Sequence, residues 1–253
     1  MYTPATIVIT GASSGLGAAL ALEYAAPGIT LGLTGRNRER LEKMAQQCQG
    51  KGAKVETALM DVRDNALMQE WIEGFDTKYP IDLVIANAGI SAGSGGNPDD
   101  LKTLRALFAI NVEGVVNTIM PAIAHMRERR KGQVAIVSSL ASLRGLPGCP
   151  AYSASKAAVR FLGEGLRGEL KEYGISVNVI CPGYIDTPMT EVNEFTMPFM
   201  LSARKAARKI RTGLAKNKSR IAFPLALYIP LYLLACLPVR WTDGLFARLP
   251  KKK

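Results

Sequence analysis

Short apolar, β-branched runs alternate along the chain with longer stretches of helical period. The runs at 6–10, 30–34, 54–59, 83–87, 133–138 and 176–180 have strand length. Between them, residues 15–26, 37–50, 64–78, 101–130 and 153–173 repeat apolar positions every three or four residues. Ile7-Val8-Ile9 and Leu83-Val84-Ile85 carry no polar alternate, as expected of strands covered on both faces. The β-α-β-α rhythm predicts a parallel sheet with helices on both sides. Right-handed crossovers make that sheet doubly wound and Rossmann-type, an α/β fold. No repeat or linker divides the chain. Residues 1–195 are predicted to form the core of one domain, and 196–253 a C-terminal basic and apolar extension of it.

The residues that punctuate this pattern carry the chemistry. After the first run comes Thr10-Gly11-Ala12-Ser13-Ser14-Gly15-Leu16-Gly17, opening a helical stretch. Glycines there let a backbone turn tightly against a pyrophosphate, and the helix start offers free N–H groups and the positive end of a dipole. After the second run comes Thr34-Gly35-Arg36. Folds that bind NAD tend to place an acidic residue there for the ribose 2′-hydroxyl. Gly35 takes that place and Arg36 follows, and a guanidinium suits a 2′-phosphate. The cofactor expected is NADP(H) rather than NAD(H). Arg38 and Arg40 read as decoration of a solvated helix. Tyr152 and Lys156 stand four apart, one helical turn, with Ser139 thirteen residues upstream. A phenol titrates near pKa ~10, and a nearby cation is expected to pull it toward neutrality, making it a proton donor and acceptor for a carbonyl and an alcohol. In a chain of this composition chance alone supplies about half such a spacing, so the pair gains its meaning from its neighbours.

Those neighbours resemble the short-chain dehydrogenase/reductase family in its single-domain branch. Thr10–Gly17, Asp61-Val62, Asn87-Ala88-Gly89, Asn111, Ser139, Tyr152-x-x-x-Lys156 and Pro182-Gly183 come in the family's order over residues 5–190. The resemblance implies that Asp61 and the backbone of Val62 contact the adenine, and that Asn87, Ala88 and Gly89 run along the cofactor. It implies that Tyr152 is the acid or base, that Lys156 binds the nicotinamide ribose and lowers the Tyr152 pKa, and that Ser139 bonds the substrate oxygen. Asn111 would hold a water linking Lys156 to solvent, and Pro182, Gly183 and Thr187 would flank the nicotinamide. From the residues alone, Asn111 also reads as a helix-breaking Asn and Thr187 as a cap before Pro188. The implied activity is interconversion of a small-molecule carbonyl and a secondary alcohol, with residues 1–195 as the dinucleotide-binding and catalytic core and 196–253 as a substrate lid and C-terminal extension of the same domain. The implied assembly is a homodimer or homotetramer through helices such as 101–130 and 153–173. A non-enzymatic NADP(H)-sensing module and a sugar-nucleotide epimerase or dehydratase are the competing readings. The intact Ser139, Tyr152 and Lys156 speak against the first, and the glycine spacing against the second.

Composition narrows the field further. A hydrophobic content of 48% is ample for a core. Cys48, Cys149, Cys181 and Cys236 are scattered with no C-x-x-C, so no metal site and no disulfide framework is expected, and reduced buried thiols in a cytoplasmic protein are. The single His125 has no G-x-S-x-G elbow to serve and reads as a cation near a helix C-terminus. A strand-like run starts at Thr6, and no signal peptide is read before it. The net charge of +11 is uneven. Residues 1–195 hold 19 Lys+Arg and 20 Asp+Glu, and residues 196–253 hold 13 Lys+Arg and only Asp243. A neutral body with a basic tail does not make a nucleic-acid-binding protein. Family members often finish with a Gly-rich strand end, which this chain lacks. Arg220–Phe223 suits a last strand, and residues 221–239 hold 19 positions without a charge. Pro224, Pro230 and Pro238 interrupt that stretch, which argues against a bilayer-spanning helix. Two readings stay open for it: a broken helix packed on the body or on a subunit, or a peripheral contact of 221–253 with an anionic membrane on its inner face. The second reading would suit a lipid-like ketone.

Overall fold

Asn37, Asp64 and Asp100 each stand just ahead of a run of helical period. Each side chain accepts a first-turn backbone N–H, from Arg40 at 2.9 Å, Leu67 at 3.1 Å and Lys102 at 3.2 Å, so these residues set where helices begin. The computed structural model describes residues 4–91, 100–193 and 195–247. As loops and lid that vary freely, residues 91–98, 140–150 and 184–215 are expected to set substrate choice; of the first stretch only Ser91 is among the described residues, and Arg248 and Lys251–Lys253 lie outside them.

The chain runs β1 (Thr6–Ile9), α1 (Gly15–Tyr24), β2 (Thr30–Gly35), α2 (Arg38–Gln49), β3 (Lys54–Leu59), α3 (Asn65–Lys78) and β4 (Leu83–Ala86). It continues through α4 (Leu101–Phe108), α5 (Gly114–Arg129), β5 (Gly132–Val137), α6 (Pro150–Glu169) and β6 (Ile175–Pro182). The remainder is β7 (Ile185–Asp186), α7 (Pro188–Glu191), β8 (Leu201–Ser202), α8 (Ala203–Ala215), β9 (Arg220–Phe223), α9 (Leu225–Ala235) and α10 (Val239–Phe246). Seven strands form one sheet in the order β3-β2-β1-β4-β5-β6-β9, every pair parallel. β7 and β8 make a separate two-stranded pair. The sheet's sense of winding reverses between β1 and β4, and a crevice opens there at the strand ends.

The continuous apolar strands divide their side chains between two cores. Ile7, Ile9, Leu83 and Ile85 pack with Leu20 of α1, Leu41 of α2 and Ile210 of α8. Val8, Val84, Val134 and Ile136 pack on the other face with Met68 and Ile72 of α3, Ile119 of α5 and Val159 of α6. Alternation along each strand is what lets an unbroken apolar run serve two layers.

The expected stretch 101–130 is one helical run, in which a π-helical turn at Ala109–Glu113 joins α4 to α5. Leu101–Arg129 is long and apolar enough to cross a membrane by length and composition, yet Val115, Ile119, Ala122 and Ile123 are buried in a core. The expected last strand is β9, which pairs with β6, Ile180 opposite Ile221, and α8 covers one core while its Arg208 and Arg211 reach Glu23 at 3.7 and 3.4 Å. Beyond β9 the apolar stretch forms α9 and α10, with Leu227, Tyr228 and Leu231 of α9 packed on Leu140, Val179 and Cys181.

The expectation of buried thiols holds for Cys48 and Cys181, but Cys236, at the end of α9, is exposed. His125 lies in the last turns of α5, with Nδ1 3.9 Å from both Asp76 and Glu128.

Candidate active site

A cleft of about 1220 Å³ runs across the strand ends. Its volume exceeds the roughly 300–1,000 Å³ usual for one small ligand, so it has room for a dinucleotide and a second molecule. Every site residue expected from the sequence lines it except Gly17 and Asn111, which lie directly behind its wall.

The β1–α1 turn is built for close approach. Gly11 has φ +68°, in the left-handed region, and a Cβ there would lie 2.9 Å from Ala88 Cα. A Cβ at Gly17 would lie 2.3 Å from the Gly11 carbonyl oxygen and 2.5 Å from Asn87 Nδ2. Asn87 braces the same turn, donating from Nδ2 to the Thr10 carbonyl at 2.9 Å, while its own N–H and that of Ala88 reach Thr10 Oγ1 at 3.1 and 3.2 Å. Ser14, at the cap of α1, makes no side-chain cap bond, so the first-turn amides keep their anion-binding capacity. Thr34 Oγ1, in the same cleft, is buried with no hydrogen-bond partner among the described residues. A bare helix start, a glycine-walled turn and an orphaned hydroxyl together fit a polar, phosphate-bearing ligand.

Arg36, Asn37, Arg40, Asp61 and Val62 line the far end of the cleft. Asp61 accepts from Arg63 at 2.7 and 3.0 Å, and Arg36 lies 3.7 Å away. Bonding to Arg63 holds the Asp61 carboxyl below the usual range. A Cβ at Gly35, which stands in the place of an acidic residue, would sit 3.0 Å from the Ser13 side chain. Sequence reasoning set Arg40 aside with Arg38. Arg38 does pair outward with Glu42 at 3.6 Å, but Arg40 lines the cleft. Its position one turn after the Asn37 cap was the available signal.

At the other end, α6 carries Tyr152 and Lys156 to the end of β5. Ser138 is buried and donates to the Lys156 carbonyl at 2.7 Å, while Ser139, next along, faces the cleft. Ser139 Oγ accepts from Ala141 N–H at 3.1 Å and is hydrogen-bonded to Tyr152. Lys156 Nζ donates to the Val137 carbonyl at 3.0 Å. Asn111, in the π-helical turn, donates from Nδ2 to the Ile90 carbonyl and Ser155 Oγ, each at 3.0 Å, and accepts from Ile90 N–H at 2.9 Å. Both its donors are engaged within the protein. Thr187 caps the four-residue α7, its N–H reaching Thr190 Oγ1 at 3.1 Å, and it also lines the cleft. Pro182 and Gly183 lie at the end of β6, with the Gly183 N–H on the Phe223 carbonyl at 2.8 Å.

One expectation reverses sign. The Tyr152–Lys156 spacing predicts a lowered phenol pKa. In the structure burial pushes Tyr152 up to about 12, outweighing the opposing bond to Ser139. Lys156 Nζ lies 5.9 Å from the Tyr152 ring centroid and is itself pushed down to about 8 by burial. Spacing encodes the pair but not how completely the fold encloses it.

The remaining wall comes from the stretch expected as a substrate lid and from the residues just before it, though none of its side chains was singled out from the sequence. Leu227, Pro230, Leu231 and Leu234 of α9, with Leu245 and Phe246 of α10, line the cleft beside Tyr184 and Phe195. Arg144, five residues past Ser139, lies 3.1 Å from Asp243 and 5.2 Å from the Phe246 ring centroid, tying α10 to the serine loop.

A short-chain dehydrogenase family model matches residues 5–196, and the chain belongs to that family. It is an oxidoreductase dependent on NAD or NADP. An uncharacterized oxidoreductase of Myxococcus xanthus is 34% identical over 245 residues, 96% of this chain and 97% of that protein. The fold is shared with a short-chain dehydrogenase of Sphingobium yanoikuyae solved with NADPH, at TM-score 0.79 and 24% identity over 98% of this chain and 97% of that one. It is shared also with a Burkholderia phymatum family member solved with NAD, at TM-score 0.84 and 23% identity over 100% and 99%.

Proposed function

We propose that the protein is an NADP(H)-dependent enzyme that interconverts a carbonyl and a secondary alcohol of an apolar, lipid-like molecule. The observation that carries this reading is the convergence of Ser139, Tyr152 and Lys156 at the end of the cleft with apolar walls. When bound, the nicotinamide supplies the hydride. Hydride arriving at a carbonyl carbon leaves negative charge on its oxygen, and Ser139 and Tyr152 present two hydroxyls from one side to meet it. A phenol held near 12 keeps its proton at neutral pH, so Tyr152 acts as the acid in reduction and, once deprotonated, as the base in oxidation. Lys156 spends one N–H on Val137 and keeps two for ribose hydroxyls. A cation whose remaining donors face the cleft stabilises the phenolate as it forms. Asn111 fixes Ile90 and Ser155 behind it, and so positions α6.

NADP(H) is favoured over NAD(H) because Arg36 and Arg40 line the end of the cleft where Gly35 stands in the place of a carboxylate. The solved relatives carry one cofactor each way. An apolar substrate is favoured by the α9 and α10 wall. Exposed Leu104 and Phe108 on α4, Met120 on α5 and Phe161 on α6 favour a homodimer or homotetramer through these helices, and the apolar tail favours peripheral contact with an anionic membrane from the cytoplasmic side. The test is Tyr152→Phe, assayed by NADPH oxidation against a panel of ketones. Turnover is expected to fall about 10²–10⁴-fold with NADPH binding retained; undiminished turnover refutes the mechanism.

A further inference from the structure

We propose that the outer face of α9, together with α10, docks on an anionic lipid bilayer and holds the mouth of the catalytic cleft against it. All eleven positions of α9 are apolar and none is buried. A helix apolar all round is ordinarily enclosed all round. Here one side is spoken for. Leu227, Leu231 and Leu234 face the cleft. Leu225 and Ile229 stand two residues before Leu227 and Leu231, about 200° around the helix from them, and are 61% and 51% exposed; Leu233, about 100° from Leu234, is 60% exposed.

Both neighbouring wall segments repeat the division. In α10, Leu245 and Phe246 line the cleft while Trp241 is 66% exposed. In the stretch before β8, Thr196 and Pro198 line the cleft while Phe199 and Met200 are exposed. Three segments bordering the cleft thus each carry exposed large apolar side chains, and clustering of such residues marks an interaction site.

Charge identifies the occupant. Residues 196–253 hold 13 Lys+Arg against Asp243 alone; Arg208 and Arg211 are paired with Glu23, Arg220 with Glu164 and Asp243 with Arg144, while Arg204, Lys205, Lys209, Lys216, Lys218 and Arg240 have no ion pair among the described residues. Arg204 and Lys205 follow Met200, and Arg240 precedes Trp241. A second copy on this face would bring two such tails together, and like charges oppose it. Anionic headgroups neutralise them, at about 1 kcal/mol per Lys or Arg near the surface. An eleven-residue helix of about 16 Å is far short of a hydrocarbon core of about 30 Å, so α9 lies in the interface rather than across it. The docking stands on this surface alone, whereas the meaning of the cleft mouth, entry of a membrane-dissolved carbonyl, rests on the reductase reading.

The experiment is flotation of the full-length protein with vesicles of phosphatidylcholine, and of phosphatidylcholine with about one-quarter phosphatidylglycerol. The wild type is expected to float with the mixed vesicles and not the neutral ones. Its tryptophan emission should shift to the blue and be quenched by lipids brominated on the acyl chain. Trp71, the second tryptophan, packs on Phe75, so the change reports Trp241. Ile229→Glu with Leu233→Glu, neither of which lines the cleft, is expected to cut the bound fraction at least about tenfold while NADPH binding, followed by nicotinamide fluorescence, is kept. A wild type that stays down with anionic vesicles overturns the proposal. So does a double variant that floats as the wild type does, or a wild-type dimer that the double variant converts to monomer with no lipid dependence. Flotation needs no turnover, so its failure and failure of the Tyr152→Phe assay are read separately.

Discussion

At the scale of single residues, enclosure governs the site more than proximity does. Burial raises Tyr152 and lowers Lys156, shifting each toward its neutral form while leaving Lys156 mostly charged at neutral pH. For Lys156 this has a thermodynamic sign. The native pKa of about 8 lies below the unfolded value of 10.5, so the unfolded chain binds the extra proton between them. Its penalty is full below about pH 8 and is relieved as pH rises toward 10.5. Replacing it by an isosteric apolar side chain removes that penalty. Thermal melts of the wild type and Lys156→Met are therefore expected to favour the variant most near neutral pH, with the gap closing toward about pH 10. A gap independent of pH would contradict the buried cation. Arg36→Ala should weaken NADPH binding about tenfold or more, as loss of a charge-assisted bond does, and leave NADH binding within about twofold. Paired titrations with the two cofactors read the difference, and equal effects would remove the NADP(H) assignment. Arg36 was legible in the sequence because it follows a strand end. The direction of the Tyr152 shift was not, since four-residue spacing carries no information on solvent exclusion.

At the scale of elements, strand–turn–helix units place the chemistry. The runs around Ile7-Val8-Ile9 and Leu83-Val84-Ile85 could be read as strands because both faces of each are covered, and so could β9, from Arg220 to Phe223. The π-helical turn at Ala109–Glu113 could not, because π turns follow from how a helix meets its neighbours and not from apolar period. That turn carries Asn111 to Ile90 and Ser155. The β1–α1 turn has the tightest tolerance. Gly17→Ala would drive a Cβ into the Gly11 carbonyl and Asn87 Nδ2. It is expected to destabilise by about 1–3 kcal/mol and to weaken dinucleotide binding, read by thermal unfolding and cofactor titration of the same sample. An unchanged melting temperature would mean that the turn yields more easily than its contacts imply.

At the scale of the whole molecule, one sheet unites what charge divides. The neutral body and the basic tail meet at β6 and β9, and the tail supplies both an edge strand and a cleft wall. Amino-acid pattern revealed that the tail was unusual but not where it lay. With every position of α9 apolar, periodicity cannot say which face meets the cleft. Exposed apolar residues on α4, α5 and α6 make a different surface. Met120→Glu with Phe161→Glu is expected to lower the molar mass in light scattering by half or more, and an unchanged mass would place the subunit contact elsewhere.

Arg144 joins these scales. It sits five residues past Ser139 and grips Asp243 and Phe246 of α10, so the serine loop and the outermost helix share one mechanical joint. Coupling through such a joint is reciprocal. Whatever factor a molecule in the cleft adds to the grip of α10 on its surroundings, those surroundings return to the molecule in the cleft. On the proposed docking, affinity for substrate measured with anionic vesicles is expected to differ from the value measured in plain buffer.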